Sequence, residues 1–423
     1  MKLTVVGGGS TYTPELVDGF CRRRGELPLD ELWLVDPDEH RRDLVAGMTR
    51  RMFARQGHSG RVMATADLVA GVSDADIVLI QLRVGGQAAR RQDETWPHEA
   101  GTIGQETTGP GGLAKAMRTV PVVLDIAETV RKHARPDAWI IDFTNPVGIV
   151  TRALLQAGHR AVGLCNVAIG FQRDFATRLG VDHGSVQLEH VGLNHLTWER
   201  SVRVTRNGHT YDALPELLER HLEAIAEQEQ LPADALRLLG AIPSYYLRYY
   251  YSHDRVLAEQ LSSPTRAEEV MEIEQSLLRT YADPTANEKP DALARRGGAF
   301  YSEAAVDLIA SLRTDRRDVQ VVNMRNDGSL PFLPDDHVIE VPAVVGADGL
   351  TAVPLRRMPD EMAGLVGQVA GYERLALRAA VEGGRDLVMR ALLSHPLVGQ
   401  TDKAERLTDL LMAHNRDYLS WAR

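Results

Sequence analysis

The stretch Leu3-Thr4-Val5-Val6-Gly7-Gly8-Gly9-Ser10-Thr11-Tyr12-Thr13-Pro14 decides the fold of this chain. Leu3 to Val6 reads as a short buried strand. Gly7 and Gly9 take the first two glycine positions of a dinucleotide-binding turn. There they permit a tight bend and let the backbone approach a pyrophosphate at a helix N-terminus. Thr13 and Pro14 read as the start of that helix, Thr13 as N-cap and Pro14 at the first helical position. Tyr12 stands where the fingerprint has its third glycine, so the reading rests on strand, loop and helix together. The next apolar run, Leu32-Trp33-Leu34-Val35, ends at Asp36. An acid there is placed to bond a ribose 2′-hydroxyl and to repel the extra phosphate of NADP. Gly7, Gly9, Ser10 and Asp36 are therefore expected to hold NAD+.

Outward from this unit the alternation continues. A helix is expected over 44–55, a strand over 75–81, a helix over 114–133, and strands over 139–143 and 161–164. Strands alternating with helices imply a doubly wound, mostly parallel sheet of the Rossmann-like kind. Beyond about residue 180 strands are expected over 186–198, 201–204, 319–323 and 337–345. Helices are expected over 214–230, 268–281, 359–382 and 386–393. The fold class is thus α/β, with a second α/β domain built on the first. The division expected is residues 1–165 for the dinucleotide and 166–423 for substrate, metal and oligomerisation.

The length of 423 residues suits two domains better than one core. Apolar residues make up 44% and charged residues 25%, as in a globular protein in water. The net charge of −10 comes without any basic block, which argues against nucleic acid and anionic membranes as partners. Cys21 and Cys165 are the only cysteines, too few for a disulfide framework, and a reducing cytoplasm is expected. No apolar run approaches the ~20 residues that span a bilayer, and the first residues run directly into a strand.

Polar groups gather where the expected strands end. Cys165 follows Ala161-Val162-Gly163-Leu164, and Asn194-His195 follow Val191-Gly192-Leu193. A thiol and an imidazole form a soft-metal pair. Two ligands are too few for a closed structural site, whereas substrate or water completing the set suits a catalytic ion. Cys21, inside the first helix, reads as a small buried hydrophobe. Asp142-Phe143-Thr144-Asn145-Pro146-Val147 is similar to the Thr-Asn-Pro-Val turn of lactate and malate dehydrogenases, whose asparagine works beside substrate and nicotinamide. Gln81-Leu82-Arg83-Val84-Gly85-Gly86 leads to Arg90, and Gly104-Gln105-Glu106-Thr107 follows. These segments suit a binding loop, with arginines able to grip an anionic substrate through two parallel bonds.

Taken together, Val6-Gly7-Gly8-Gly9-Ser10, Arg83-Val84-Gly85-Gly86, Gly104-Gln105-Glu106-Thr107, Thr144-Asn145-Pro146, Cys165-Asn166, Gly192-Leu193-Asn194-His195 and Tyr246-Leu247-Arg248-Tyr249-Tyr250-Tyr251 resemble glycoside hydrolase family 4, in the same order along the chain. The resemblance implies a lactate/malate dehydrogenase-like architecture and an NAD+- and Mn2+-dependent glycosidase, other divalent ions being possible. It implies oxidation at C3 of the sugar, loss of the C2 proton, elimination of the C1 substituent, addition of water and return of the hydride. This family is an exception to two-carboxylate glycoside hydrolysis. Carried over by position, Cys165 and His195 would hold the metal. Tyr246 would be the base, Arg83 would contact the cofactor, and Arg90, Asn145, Asn166 and Arg266 would contact substrate.

Asn166, after the metal cysteine, implies the 6-phospho-β-glucosidase class, although Ala168 stands where that class usually has proline. No carboxylic acid is evident beside the metal, and Glu106, Asp142 and metal-bound water stay open as the acid. A 6-phospho-α-glucoside, an α-galactoside or a glucuronide is the alternative substrate. A lactate/malate-type NAD-dependent dehydrogenase is the alternative class. The resemblance further implies a small sugar-phosphate substrate and a homo-dimer or homo-tetramer.

Overall fold

The computed structural model describes residues 1–297 and 300–422. Its strands are β1 (Lys2–Val6), β2 (Glu31–Val35), β3 (Arg61–Thr65), β4 (Ile77–Ile80), β5 (Trp139–Asp142), β6 (Ala161–Gly163), β7 (Val186–Leu193), β8 (Leu196–Arg206), β9 (His209–Asp212), β10 (Ile242–Pro243), β11 (Asp318–Arg325), β12 (Val338–Gly346) and β13 (Gly349–Ala352). Among the described residues all of them join one sheet, in the order β10-β8-β7-β12-β11-β6-β5-β4-β1-β2-β3, with β13 on β12 and β9 on β8.

The half of the sheet from β6 to β3 is parallel throughout. β4 and β5 are buried at every residue, because helices cover both faces of a parallel sheet. The strand order reverses direction between β1 and β4, the place where such sheets bind ligands. Val6 lies level with Val35 and Ile80, Ile80 with Asp142, and Asp142 with Gly163. Five strands therefore deliver their C-terminal loops to one edge.

Beyond β6 the sheet becomes antiparallel: β11 pairs with β6 and β12, and β12 with β7. The later half of the chain also packs back on the first. Helix Tyr301–Thr314 lies so close to helix Thr13–Arg22 that a Cβ on Gly19 would sit 2.8 Å from Ser302. Among the described residues no helix is long and apolar enough to cross a membrane.

Local details differ from the expectations. β3 was not foreseen, because Arg61-Val62-Met63-Ala64-Thr65 is a half-exposed edge strand with a weak apolar signal. Thr13 is inside its helix rather than capping it; Tyr12 holds the cap position, and the Thr13 hydroxyl donates to the Gly8 carbonyl at 2.9 Å. The expected strand 186–198 is a hairpin that reverses at Asn194 and His195, with His195 at φ 62°. The expected helix 214–230 breaks at His221 into Leu214–Arg220 and Leu222–Glu229. Helices Tyr301–Thr314 and Thr401–Asn415 were also missed.

Candidate active site

The loops at the common sheet edge enclose a cleft of about 1630 Å³. Gly7, Ser10, Asp36, Arg83, Arg90, Asn145, Asn166, His195, Tyr246 and Arg266 all line it. Of the candidate site residues, Gly9, Asp142 and Cys165 are not on its surface. Gly9 lies against Asp36, and Cys165 is buried just behind Asn166.

At one end, Gly7 turns with φ +85°, and a Cβ there would meet the Gln81 carbonyl oxygen at 2.5 Å. The N–H groups of Gly7 and Gly8 both donate to the Val35 carbonyl, at 2.9 and 3.0 Å. This fastens the loop to the end of β2. Asp36 accepts the Gly9 N–H at 2.9 Å and so braces the loop beside the expected ribose position.

At the other end, Cys165 follows β6 and precedes helix Val167–Leu179. The N–H groups of Val167 and Asn166 and the Asn194 side chain bond its sulfur. Burial, and then Glu340, nevertheless push the thiol up to about 12. His195 stands on the hairpin turn, with Nδ1 2.9 Å from the Thr107 hydroxyl. Burial brings the imidazole down to about 4, so the ring is neutral across the ordinary pH range. Tyr246, on the turn Tyr245–Leu247, lies flat on His195 with ring centroids 3.6 Å apart and 6° between planes. Burial, then Cys165, Tyr249 and Glu106, hold its phenol well above the ordinary value, with Arg90 opposing them. Asn145 supplies a buried Oδ1 without a hydrogen-bond partner.

Between the two ends sits Glu106. Arg83 pairs with it, Arg90 approaches Oε1 at 3.2 Å and Lys115 reaches Oε2 at 2.5 Å. Burial opposes the charge, yet these three cations hold the Glu106 carboxyl well below its usual range. As placed, Glu106 is a carboxylate and not an acid. Asp142 is driven the other way by burial, which raises it well above the usual range against bonds from Thr144 and Thr151. It accepts the Thr144 N–H at 2.9 Å and shapes the turn that presents Asn145; its own side chain is shut away from the cleft.

Arg90 is also held by Glu94 at 2.7 Å, and the second oxygen of Glu94 accepts the Ala267 N–H at the start of helix Arg266–Ala282. That contact brings Arg266 to the rim, where it bonds Glu269 and the Arg295 carbonyl, each at 2.7 Å.

Several contributors were not read from the sequence. Lys115 lies within the helix expected over 114–133, where a lone lysine in Leu113-Ala114-Lys115-Ala116-Met117 marks a buried charge. Glu340 interrupts an apolar strand in the same way. It accepts from Asn194 at 2.9 Å and faces His190, which also pairs with Glu199. Arg296 and Arg41 both hold the buried Glu274, at 2.9 and 3.2 Å, beside the dinucleotide loop. Nothing in their local sequence distinguishes these two arginines from surface ones.

The donor set fits a divalent cation. The residues offer a neutral imidazole, a buried sulfur and an unpartnered amide oxygen, although loading must displace the thiol proton. Among the described residues no group of three or more His, Cys, Asp or Glu side chains is placed to hold a metal, so an ion there would need ligands from outside that residue set. The dinucleotide loop likewise has the free approach and braced acid that NAD+ requires.

Comparison with known proteins gives a consistent result. The family 4 glycosyl hydrolase model matches residues 2–181, and the family 4 glycosyl hydrolase C-terminal domain matches residues 190–398. The 6-phospho-beta-glucosidase of Escherichia coli (strain K12) is 36% identical over 98% of this chain and 96% of its own. A protein of Bacillus subtilis (strain 168) named "Probable 6-phospho-beta-glucosidase" is 38% identical over 99% and 97%. Among solved structures, the 6-phospho-beta glucosidase of Thermotoga maritima with NAD and glucose-6-phosphate superposes with a TM-score of 0.92, 35% identity and 99% of each chain covered. A second structure of that protein, with manganese, NAD+ and glucose-6-phosphate, gives a TM-score of 0.91 at 34% identity, again over 99% of each chain. Trichomonas vaginalis lactate dehydrogenase shares the fold alone, with a TM-score of 0.57 at 13% identity over 90% of this chain and 99% of its own.

Proposed function

The chain belongs to glycosyl hydrolase family 4, and from that premise we propose that it hydrolyses 6-phospho-β-glucosides to glucose 6-phosphate and an aglycone, with NAD+ and Mn2+ as cofactors. The observation that carries this reading is the one cleft that joins the Gly7–Asp36 loop to Asn145, Asn166, His195 and Tyr246, with Cys165 buried next to Asn166 in the chain. Bound there, NAD+ would supply hydride transfer and a divalent ion would supply Lewis-acid stabilisation of negative charge on the sugar.

The chain's own residues do the rest. Gly7, Gly9, Ser10, Asp36 and Arg83 hold the dinucleotide. Cys165 and His195 hold the ion. Arg90, Asn145, Asn166 and Arg266 position the sugar phosphate. Tyr246 takes the C2 proton. Its phenol is held high by burial, so it serves as a base only once cationic charge is added beside it. An anionic substrate suits the cleft. The cleft as a whole carries as many Asp and Glu as Lys and Arg side chains, but Arg83, Arg90 and Lys115 converge on the one carboxylate of Glu106 and give it a locally cationic patch.

The test compares p-nitrophenyl β-glucoside with its 6-phosphate, each with and without NAD+, Mn2+ and reductant. Turnover is expected only for the phosphate with both cofactors present. Equal turnover of the two sugars defeats the phosphate assignment. Net NADH accumulation without phenol release identifies a simple dehydrogenase instead.

A further inference from the structure

We propose that Thr107, anchored by Gln105, fixes the tautomer of His195 and so decides which ring nitrogen is offered to the metal. This rests on the reading of His195 as a metal ligand. The argument follows from hydrogen-bond capacity. Gln105 accepts the backbone N–H groups of Thr107 and Thr108 on one side-chain atom, the latter at 2.8 Å. An atom that takes two N–H donors is the carbonyl oxygen Oε1, which has no hydrogen of its own. The Thr107 hydroxyl lies 2.8 Å from the same oxygen, so its single hydrogen is committed there.

Thr107 Oγ1 then meets His195 Nδ1 at 2.9 Å with only lone pairs to offer. Nδ1 must carry the proton. In a neutral ring Nε2 is left with its lone pair, and His195 lines the cleft. The two backbone donors fix Gln105 Oε1 as an acceptor, and turning the Thr107 hydrogen toward His195 would leave two oxygens facing each other lone pair to lone pair at 2.8 Å, so the bonds run from His195 to Thr107 to Gln105.

Thr107 is thus a positioning residue, separated from His195 by 88 positions in the chain. The physical gain is that the lone pair already faces the cleft before the ion arrives. In other metal sites, loss of such an outer partner weakens binding roughly 10- to 100-fold.

The experiment measures Mn2+ affinity on the full chain by calorimetry for wild type, Thr107→Val, Thr107→Ser and His195→Ala. It also records long-range 1H–15N correlations with 15N-labelled histidine in the metal-free protein. We expect Thr107→Val to bind Mn2+ roughly 10- to 100-fold more weakly, with Thr107→Ser restoring the wild-type affinity. The wild-type signal that His195→Ala removes is expected to show protonated Nδ1 and bare Nε2. The inference is overturned if that signal shows Nε2 protonated, or if Thr107→Val binds Mn2+ like wild type while His195→Ala does not. Undiminished Mn2+ binding by His195→Ala defeats the ligand reading separately, and the tautomer spectrum still decides the role of Thr107.

Discussion

Tyr246 shows how one side chain depends on its surroundings. It stacks on His195 and is shielded from water, so its proton is harder to remove than that of a free phenol. Tyr246→Phe keeps the stacked ring and deletes only the hydroxyl. Turnover of the 6-phospho-β-glucoside is expected to fall by about 10²- to 10⁴-fold, the range for loss of one general base, with Mn2+ affinity unchanged. Steady-state kinetics and exchange of the C2 hydrogen in D2O check this; retained C2 exchange would move the base to another group. The tyrosine-rich run was legible in the sequence as a candidate. Which of its tyrosines faces the imidazole was settled by the turn Tyr245–Leu247.

At the scale of elements, helix Leu222–Glu229 fixes that turn through its last residue. Glu229 is buried and accepts the backbone N–H of Tyr245, and burial raises its carboxyl to about 7. Between the ordinary value of 4.5 and about 7, the unfolded chain has lost this proton while the folded chain keeps it. The folded state binds more protons in that window, so this group's contribution to stability is full below it and declines as pH rises through it. Glu229→Gln keeps an acceptor for Tyr245 and removes the titration. It is expected to flatten the pH dependence and to be the more stable protein at pH ~8, by as much as ~3 kcal/mol, at about 1.4 kcal/mol for each pH unit between the two values. Urea unfolding across this range checks it, and parallel profiles for the two proteins would refute it.

A second element-scale device is His190, level with Glu199 across β7 and β8 and facing Glu340 on β12. Burial opposes its charge, but Glu199 and then Glu340 raise it to about 10, so a buried cation ties three strands behind Cys165.

Across the whole molecule, the last helix is locked to the active-site loops through Arg118. Its guanidinium meets both oxygens of Asp93, at 3.0 and 2.6 Å, and bonds Asn415 near the end of helix Thr401–Asn415. Asp93 shares its helix, Gly86–Thr95, with Arg90. Tyr418 covers the Arg118 guanidinium at 5.6 Å, and its hydroxyl would lie 2.7 Å from a Cβ placed on Gly85. Arg118→Met leaves Asp93 buried without its cation and is expected to cost about 3–5 kcal/mol. Thermal and urea unfolding measure the loss. Wild-type stability in this variant would mean that the ion pair does not hold the C-terminal helix in place.

The sequence by itself determined what short-range forces control. The glycine turn, the acid after the second strand, the strand–helix alternation and the polar residues at strand ends follow from backbone freedom and apolar periodicity over a few residues. Motif order then brought Cys165, His195, Asn145 and Tyr246 into one hypothesis. Only the tertiary structure decided the electrostatics and orientation of that hypothesis. Arg83, Arg90 and Lys115 converge on Glu106 and hold its carboxyl low, whereas burial with no cation beside it pushes Asp142 up. The His195 proton is set by a hydroxyl far away in sequence. Burial and hydrogen-bond partners belong to pairs of distant residues, and such pairs exist only once the sheet has brought their loops to one edge.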